Sequence, residues 1–391
     1  MKIPLKYITR NLKTRRLTTT LTVVGISLVV FVFAAVLMMA HGIQKTLIQT
    51  GSDENVIVLR KAATAEITSI IMQDQANVVQ TIPSISKLSS GKPFISNEVV
   101  TIINLPYSQK ESGLGNVTVR GVAPEGFQLR QNMKLTGGRF FNWGSREIIV
   151  GSSIKKRFKG TEIGNKIKFG GDEWMIVGSF DAGGNGFDSE IWGDQIQLSQ
   201  SFGYTGAYSS LLIRLDNVNA FTQFQEAFNK DLRLQTLDVK REKKFYEEQS
   251  EDMAMFIRIL GIAITVIFSL GAMIGAMITM YAAVSNRTIE IGTLRALGFQ
   301  RRNVLFAFLI ESLSISIFGG LIGLFLASFL QFFDISMINF GSFAELAFSF
   351  SLSPSIIINS LIFTVVMGLV GGFLPSIRAS RLNIVNALRS S

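Results

Sequence analysis

The 391-residue chain contains no cysteine and a single histidine, His41. The first absence excludes disulfides, thiolate metal sites and cysteine nucleophiles, and leaves the redox compartment open. The second argues against a His-rich metal centre or a serine triad. No G-x-x-x-x-G-K-[ST] stretch occurs, so these residues cannot cradle ATP phosphates. Basic runs interleaved with aromatics, which a nucleic-acid groove needs, are also missing. Between Asn303 and Ile377 there is no Lys or Arg at all.

What is abundant is apolar. Hydrophobic residues make up 48% of the chain and mean hydropathy is +0.36, concentrated in a few long runs. The net charge is +10 and the pI about 9.8, and the Lys and Arg residues cluster beside those runs, which suits lipid contact and orientation signals. A helix needs about 20 apolar residues to cross the hydrocarbon core. Four stretches qualify: 17–41, 251–284, 304–333 and 355–376. The first follows six basic residues (Lys2, Lys6, Arg10, Lys13, Arg15, Arg16) and is too long for a signal peptide, so it reads as an uncleaved anchor. Arg258, early in the second, can snorkel to the interface.

The positive-inside rule orients the spans. Residues 1–16 are basic, Arg287, Arg295, Arg301 and Arg302 lie in the 285–303 loop, and Arg378, Arg381 and Arg389 lie in 377–391. The 334–354 loop carries only Asp334 and Glu345. Both termini are therefore expected in the cytoplasm, with 42–250 outside. The expected fold class is an α+β membrane protein: four transmembrane helices and one large extracytoplasmic domain.

Within that domain two patches read as strand–helix–strand. The first is Asn55–Arg60, a helix over Ala65–Thr81, and Val99–Asn104. The second is Ser210–Asp216, a helix over Asn219–Lys230, and Thr236–Lys240. Together they predict a βαβ layer split in sequence, with a β subdomain inserted near 115–195. Lys166–Phe180 reads as a hairpin turning at Gly170-Gly171-Asp172. Gly183-Gly184-Asn185-Gly186 reads as a loop tip, and His41 as an interfacial residue. Arg241–Phe256 lacks Gly and Pro and runs into the second span, predicting a charged stalk; Gly42–Gly51 can supply its partner.

Inside the cytoplasmic loop, Ser285 or Asn286 can cap a short helix with Glu290 in its first turn. Ile291, Leu294 and Leu297 are expected to form one apolar face, and Gly298 to end the helix. Gly271/Gly275, Gly319/Gly323 and Gly368/Gly372 place G-x-x-x-G in three spans, a spacing for close helix packing. Glu311, inside the third span, is expected to pair with a cytoplasmic-side Arg, a coupling or proton role being the alternative.

The string R-T-I-E-I-G-T-L-R-A-L-G-F with downstream F-L-I-E-S (Phe308–Ser312) resembles the signature loop of the MacB/LolC/LolE/FtsX (type VII, mechanotransmission) class of ABC transporter permeases. V-R-G-V (119–122), L-T-G-G-R-F-F (135–141), R-E-I-I-V-G-S-S-I-K-K-R-F (146–158) and the closing P-S-I-R-A-S-R-L-N-I-V-N-A-L-R are also similar. Ile384-Val385 stands where the class usually carries a proline. The resemblance implies a bacterial inner-membrane subunit whose loop docks on a cytoplasmic ATPase through Arg287, Glu290, Ile291, Gly292, Leu294, Arg295, Ala296, Leu297 and Gly298. Arg295 would be the polar contact, Leu294 and Leu297 the apolar ones. It also implies a separate ATPase in two copies, carrying ATP and Mg, and a second permease protomer, identical or similar. A periplasmic adaptor or outer-membrane component is a further partner. No cofactor, metal or catalytic residue is expected on this chain. The substrate would be a lipoprotein, lipid, peptide or drug. The alternative is an FtsX-like regulator that signals to an extracytoplasmic partner such as a cell-wall hydrolase, without transport.

Overall fold

The computed structural model describes residues 16–108, 113–130 and 132–384. Two units separate by their contacts. One is helical (Met1–His41, Met255–Phe333 and Phe350–Ser391, as far as described); the other is β-rich (Gly42–Ala254 and Asp334–Ser349). The basic residues Lys2 to Arg15, together with Val385 and Arg389, lie outside the described residues.

Among the described residues, four helices are long and apolar enough to cross a membrane. They are Arg16–Ile48, Glu242–Ser285, Arg301–Ser328 (continued by a 3-10 turn, Phe329–Phe332) and Pro354–Ser380. The first continues past Ala40, through a half-buried His41, to Ile48. The second has 44 residues, about 66 Å at 1.5 Å each, and its apolar part begins only after Asp252. The fourth runs through Pro375 rather than stopping there.

Small residues let these helices approach. A Cβ on Gly319 would lie 3.0 Å from the Val23 carbonyl oxygen, and one on Gly323 would lie 2.5 Å from that of Ser27, so this pair seats the third helix on the first. A Cβ on Gly368 would lie 2.6 Å from Ser316 Oγ, and one on Gly372 would overlap Ser312. Ser312 Oγ also donates to the Gly368 carbonyl at 2.8 Å, tying the fourth helix to the third. In lipid, apolar side chains gain nothing by leaving solvent for each other, so such close contacts and hydrogen bonds carry the association. Gly271 and Gly275 differ: among the described residues, nothing beyond their own helix's backbone and chain neighbours comes within 4 Å of a Cβ built at either.

The β-rich unit contains strands β1 (Asn55–Arg60), β2 (Ile71–Met72), β3 (Ile95–Pro106), β4 (Leu114–Val122), β5 (Lys134–Gly138), β6 (Glu147–Gly151) and β7 (Lys166–Phe169). There follow β8 (Asp172–Asp181), β9 (Glu190–Asp194), β10 (Ala207–Tyr208), β11 (Ser210–Arg214), β12 (Leu237–Arg241), β13 (Asp334–Ile338) and β14 (Glu345–Ser349). The main sheet runs β12-β1-β11-β3-β4-β9-β6-β8-β5, with β7 on β8. Since β11 is antiparallel to both β1 and β3, those two are parallel with β11 between them. By the same logic β11 and β12 are parallel around β1. The two βαβ units thus interlock, and Val56, Val58, Leu211, Ile213 and Val239 pack beneath Val79, Phe224 and Phe228.

The inserted β region is not a detached subdomain. β3 pairs with β11 through Ile95–Glu98 and with β4 from Val99 to Pro106, so one long strand joins both halves. β7 and β8 meet at Gly170 (φ +59°) and Gly171 (φ +83°), the left-handed pair a tight hairpin turn requires.

Three expectations need correction. The helix expected over Ala65–Thr81 is a 3-10 turn at Glu66–Thr68, the short strand β2, and a helix only over Gln73–Val79. The β-branched run Ile67-Thr68, Ile70-Ile71 resists helix, and β2 finds a partner in β10. Of the expected loop tip, Gly183 and Gly184 are exposed at positive φ, but Asn185 and Gly186 are buried. Gly186 N–H donates to Thr50 Oγ1 at 2.8 Å. Finally, 334–354 contains a hairpin, β13–β14, that belongs to the β-rich unit.

Candidate functional site

The loop between the second and third long helices holds a helix at Thr288–Ala296. Ser285 ends the preceding helix, so the N-cap is Arg287, not Ser285 or Asn286. At the other end Gly298 adopts φ +93°. Its N–H donates to the Arg295 carbonyl (3.1 Å), and Phe299 N–H to that of Leu294 (3.2 Å). That is a complete Schellman stop, which a left-handed glycine permits.

The apolar residues do not share one face. Positions three apart drift by about 60° per step on a 3.6-residue helix, so Ile291 and Leu297 are about 120° apart. Ile291 is fully buried with Met280, Val284, Val304, Phe308 and Ala379. Gly292 is buried, and Leu294 and Arg295 are half-buried. Glu290, Ala296 and Gly298 are exposed, as are Ile289 (48%) and Leu297 (68%). The helix is therefore anchored by Ile291 and presents Ile289, Thr293, Ala296 and Leu297 outward. Sequence reasoning missed Ile289. The available signal was its place one and two helical repeats of four before Thr293 and Leu297, the spacing of a single stripe.

A buried ion pair fixes the start of this helix. Arg287 Nη1 and Nη2 donate to Glu311 Oε2 and Oε1, both at 3.0 Å, a bidentate fork with each residue buried. The Arg287 guanidinium also stands 6.0 Å from the Phe308 ring centre. A buried pair gains little net stability, but removing one member is costly, so it specifies where the loop helix joins the third long helix. Arg295 Nε is buried with no hydrogen-bond partner among the described residues.

The sequence matches two family models: a MacB-like periplasmic core domain over residues 19–231, and an FtsX-like permease C-terminal region over 262–384. The chain belongs to the MacB/FtsX class of ABC transporter permeases. It is 22% identical over 406 aligned positions to an uncharacterized ABC transporter permease of Methanocaldococcus jannaschii, covering 97% of this chain and 96% of that one. It is 25% identical to the macrolide export ATP-binding/permease protein MacB of Shewanella oneidensis, covering 98% of this chain and 60% of that protein. The MacB of Brucella abortus is also 25% identical, with 95% and 58% covered. The chain thus spans about 60% of the length of these MacB relatives. Two crystal structures align with its domain. One is the extracellular domain of the noncanonic ABC-type transporter YknZ (14% identity, 48% of this chain and 99% of that one, TM-score 0.36). The other is the periplasmic region of MacB from Actinobacillus actinomycetemcomitans (12%, 52% and 94%, TM-score 0.38).

In this permease the extracytoplasmic domain has two features that sequence reasoning missed. Arg120, on β4, is 1% exposed and donates to Glu66 (2.7 and 2.6 Å), Glu98 (2.7 Å) and Glu190 (2.7 and 2.9 Å). Arg130 forks onto the same Glu98 at 2.5 and 2.8 Å. Burial pushes the Glu66 carboxyl up, but the Arg120 charge and hydrogen bonds from Arg120 and Ser210 outweigh it, leaving a lowered pKa. The available signal was an arginine inside the otherwise uncharged, valine-rich strand Val117–Val122. The second feature is the β13–β14 hairpin. Glu345 accepts from Tyr107 Oη and Arg157 Nη2. Ala347 N–H donates to Ser189 Oγ at 2.9 Å, and Asn116 Nδ2 to the Phe343 carbonyl at 2.7 Å.

Proposed function

We propose that this permease couples ATP hydrolysis on a separate cytoplasmic ATPase to movement of its extracytoplasmic domain, and thereby exports or extracts an envelope substrate. The observation that carries the reading is the anchored, outward-facing helix Thr288–Ala296 with the exposed apolar residues Ile289 and, just past its end, Leu297. Exposed apolar residues on a short, rigidly held helix are what a hydrophobic groove on a partner takes up. The Schellman stop, the buried Ile291 and the Arg287–Glu311 fork keep the helix from yielding, so a push on it reaches the third long helix.

In this reading both termini are cytoplasmic, in a bacterial inner membrane, and two ATPase copies supply ATP and Mg chemistry. Two permease protomers, identical or similar, complete the unit, and Gly271 and Gly275, open in this chain, suit a helix of the second protomer. An adaptor or outer-membrane component is a further partner, and lipoprotein, lipid, peptide or drug the substrate range. The matched macrolide exporters support export of a small molecule as one reading; signalling to an extracytoplasmic partner such as a cell-wall hydrolase is the alternative.

The test is reconstitution of the permease with its candidate ATPase in lipid. Wild type should co-purify with it and change its hydrolysis rate. Leu297→Glu and Ile289→Glu should lose that effect while folding normally. Undiminished coupling in both variants would refute the reading.

A further inference from the structure

The extracytoplasmic domain has a basic stretch that neither ATPase docking nor the buried charge network uses. Lys155, Lys156, Arg157 and Lys159 stand together where the helix Ser152–Arg157 ends. The arginine turns inward to Glu345. The three lysines are exposed. Lys155 and Lys159 have no ion pair among the described residues. Lys156 has only a long one, 3.7 Å to Asp334, with both side chains more than half exposed. The next acid along the chain, Glu162, is hydrogen-bonded to Asn165. Loops as long as this domain cross a membrane whatever their charge, so these lysines are not orientation signals.

Chain continuity fixes the layer in which Lys156 lies. Its partner Asp334 directly follows Phe333, the last residue of the third apolar run. From Arg301 through the 3-10 turn ending at Phe332 the helix is about 50 Å long. That is close to the ~45 Å of a bilayer with both headgroup layers. With Arg301 and Arg302 in one headgroup layer, Asp334 therefore emerges in the other. The first long helix agrees. Gly42, about 40 Å from its start, lies so close to the Ser349 carbonyl oxygen that a Cβ would overlap it. Ser349 is the cross-strand neighbour of Asp334, and its Oγ donates to Asp334 Oδ1 at 2.7 Å. Two separate exits from the membrane thus converge at Asp334, with Lys156 beside them.

We propose that Lys156, with Lys155 and Lys159, binds the phosphate groups of anionic phospholipids in the leaflet that faces this domain. A lysine has an apolar stem and a compact charge at its tip, so it lies along a lipid surface and ends on a phosphate. An exposed ion pair at 3.7 Å holds its lysine weakly, so a phosphate can take Lys156. Phe332 and Phe333, 82% and 61% exposed, immediately precede Asp334. Acyl chains and headgroups are therefore met in succession along the chain, the layering of an interfacial contact. Lys159 N–H donates to the Pro106 carbonyl at 2.9 Å, which ties the lysine stretch to the end of β3. Lipid bound there gives the main sheet a hold on the membrane besides its helical connections.

Lipid contact needs no ATPase, so it is tested without one. Phe333→Trp places a reporter beside Asp334, and the full-length permease is reconstituted in vesicles of phosphatidylcholine and phosphatidylglycerol. Bromine on the acyl chains of one lipid or the other quenches that reporter according to which lipid occupies its surface. The parent chain, with Trp143, Trp174 and Trp192, gives the background. One lysine near an anionic surface favours binding about fivefold. Phosphatidylglycerol should therefore be preferred over phosphatidylcholine roughly fivefold or more. The preference should vanish when Lys155→Gln, Lys156→Gln and Lys159→Gln are combined, and at about 1 M salt, where the screening length is about 3 Å. Lys87→Gln with Lys92→Gln should leave it in place, since these exposed residues precede Ile95 at the other end of β3, about 35 Å from Pro106. No preference for phosphatidylglycerol at this position, a preference that survives loss of the three lysines, or an equal loss in the Lys87 and Lys92 variant would each overturn the proposal.

Discussion

The helical unit and the extracytoplasmic domain both bury charge, in opposite styles. Among the described residues the helical unit has one buried pair, Arg287–Glu311, closed on itself by two parallel hydrogen bonds. The domain distributes its charge over Arg120, Arg130 and several glutamates, so that Arg120 serves three carboxylates and Glu98 serves two cations. Their packing differs as well. Helices meet across glycine and serine, whereas the sheet is filled by Trp174, Phe180, Trp192, Phe224 and Phe228. Where water is available to the unfolded chain, large side chains gain by burial. Where lipid is the alternative, close approach is what remains. A self-contained pair at a loop helix positions; a shared network holds a sheet together and can leave one member short of a partner.

The contrast breaks most visibly at the hub. Arg120→Met leaves three buried carboxylates without their common cation and should cost about 3–5 kcal/mol, seen as a large drop in the denaturation midpoint of the full chain in detergent. The isolated pair should behave differently. Glu311→Leu alone should cost a similar amount by stranding Arg287, but Arg287→Leu with Glu311→Leu should recover most of it. Equal damage from single and double changes would remove the distinction.

Smaller effects sharpen the difference in packing. Gly323→Val forces a side chain into the first helix and should cost about 1–3 kcal/mol. At Gly271 a Cβ meets no other helix among the described residues, so Gly271→Val should leave monomer stability nearly unchanged, while weakening protomer association as measured by light scattering. Acidity provides the mildest probe. The lowered Glu66 pKa contributes stability that is present above the ordinary value of 4.5 and is lost as pH falls through the folded-state value. Asp188, raised by burial, works the other way, its contribution falling as pH rises above its ordinary value of 3.8. Acid unfolding should therefore be steepest below the usual carboxylate range, and Glu66→Gln should flatten it.

Much of the helical unit was legible because a membrane span needs a length of apolar residues that the sequence itself displays. The paired βαβ units were legible too, since Asn55–Arg60 and Ser210–Arg214 alternate with helix-period segments. What escaped needed contacts far apart in sequence. The β-branched stretch Ile67–Ile71 could be judged extended only once β10 was known to lie beside it. Glu345 read as a loop acid because Tyr107 and Arg157 are more than 180 positions away. At the loop helix, the residues were found but not their facing: a three-residue spacing hid the drift that buries Ile291 and exposes Leu297.

Coupling rests on that facing, and the lack of native cysteine makes it directly testable. Single cysteines at 297 and at 291, each in the otherwise cysteine-free chain, are mixed with the candidate ATPase and a bifunctional thiol–amine crosslinker. A permease–ATPase adduct is expected from Leu297→Cys, and little or none from Ile291→Cys. No adduct at 297, or equal yield at both positions, would contradict a docking helix that turns Leu297 outward.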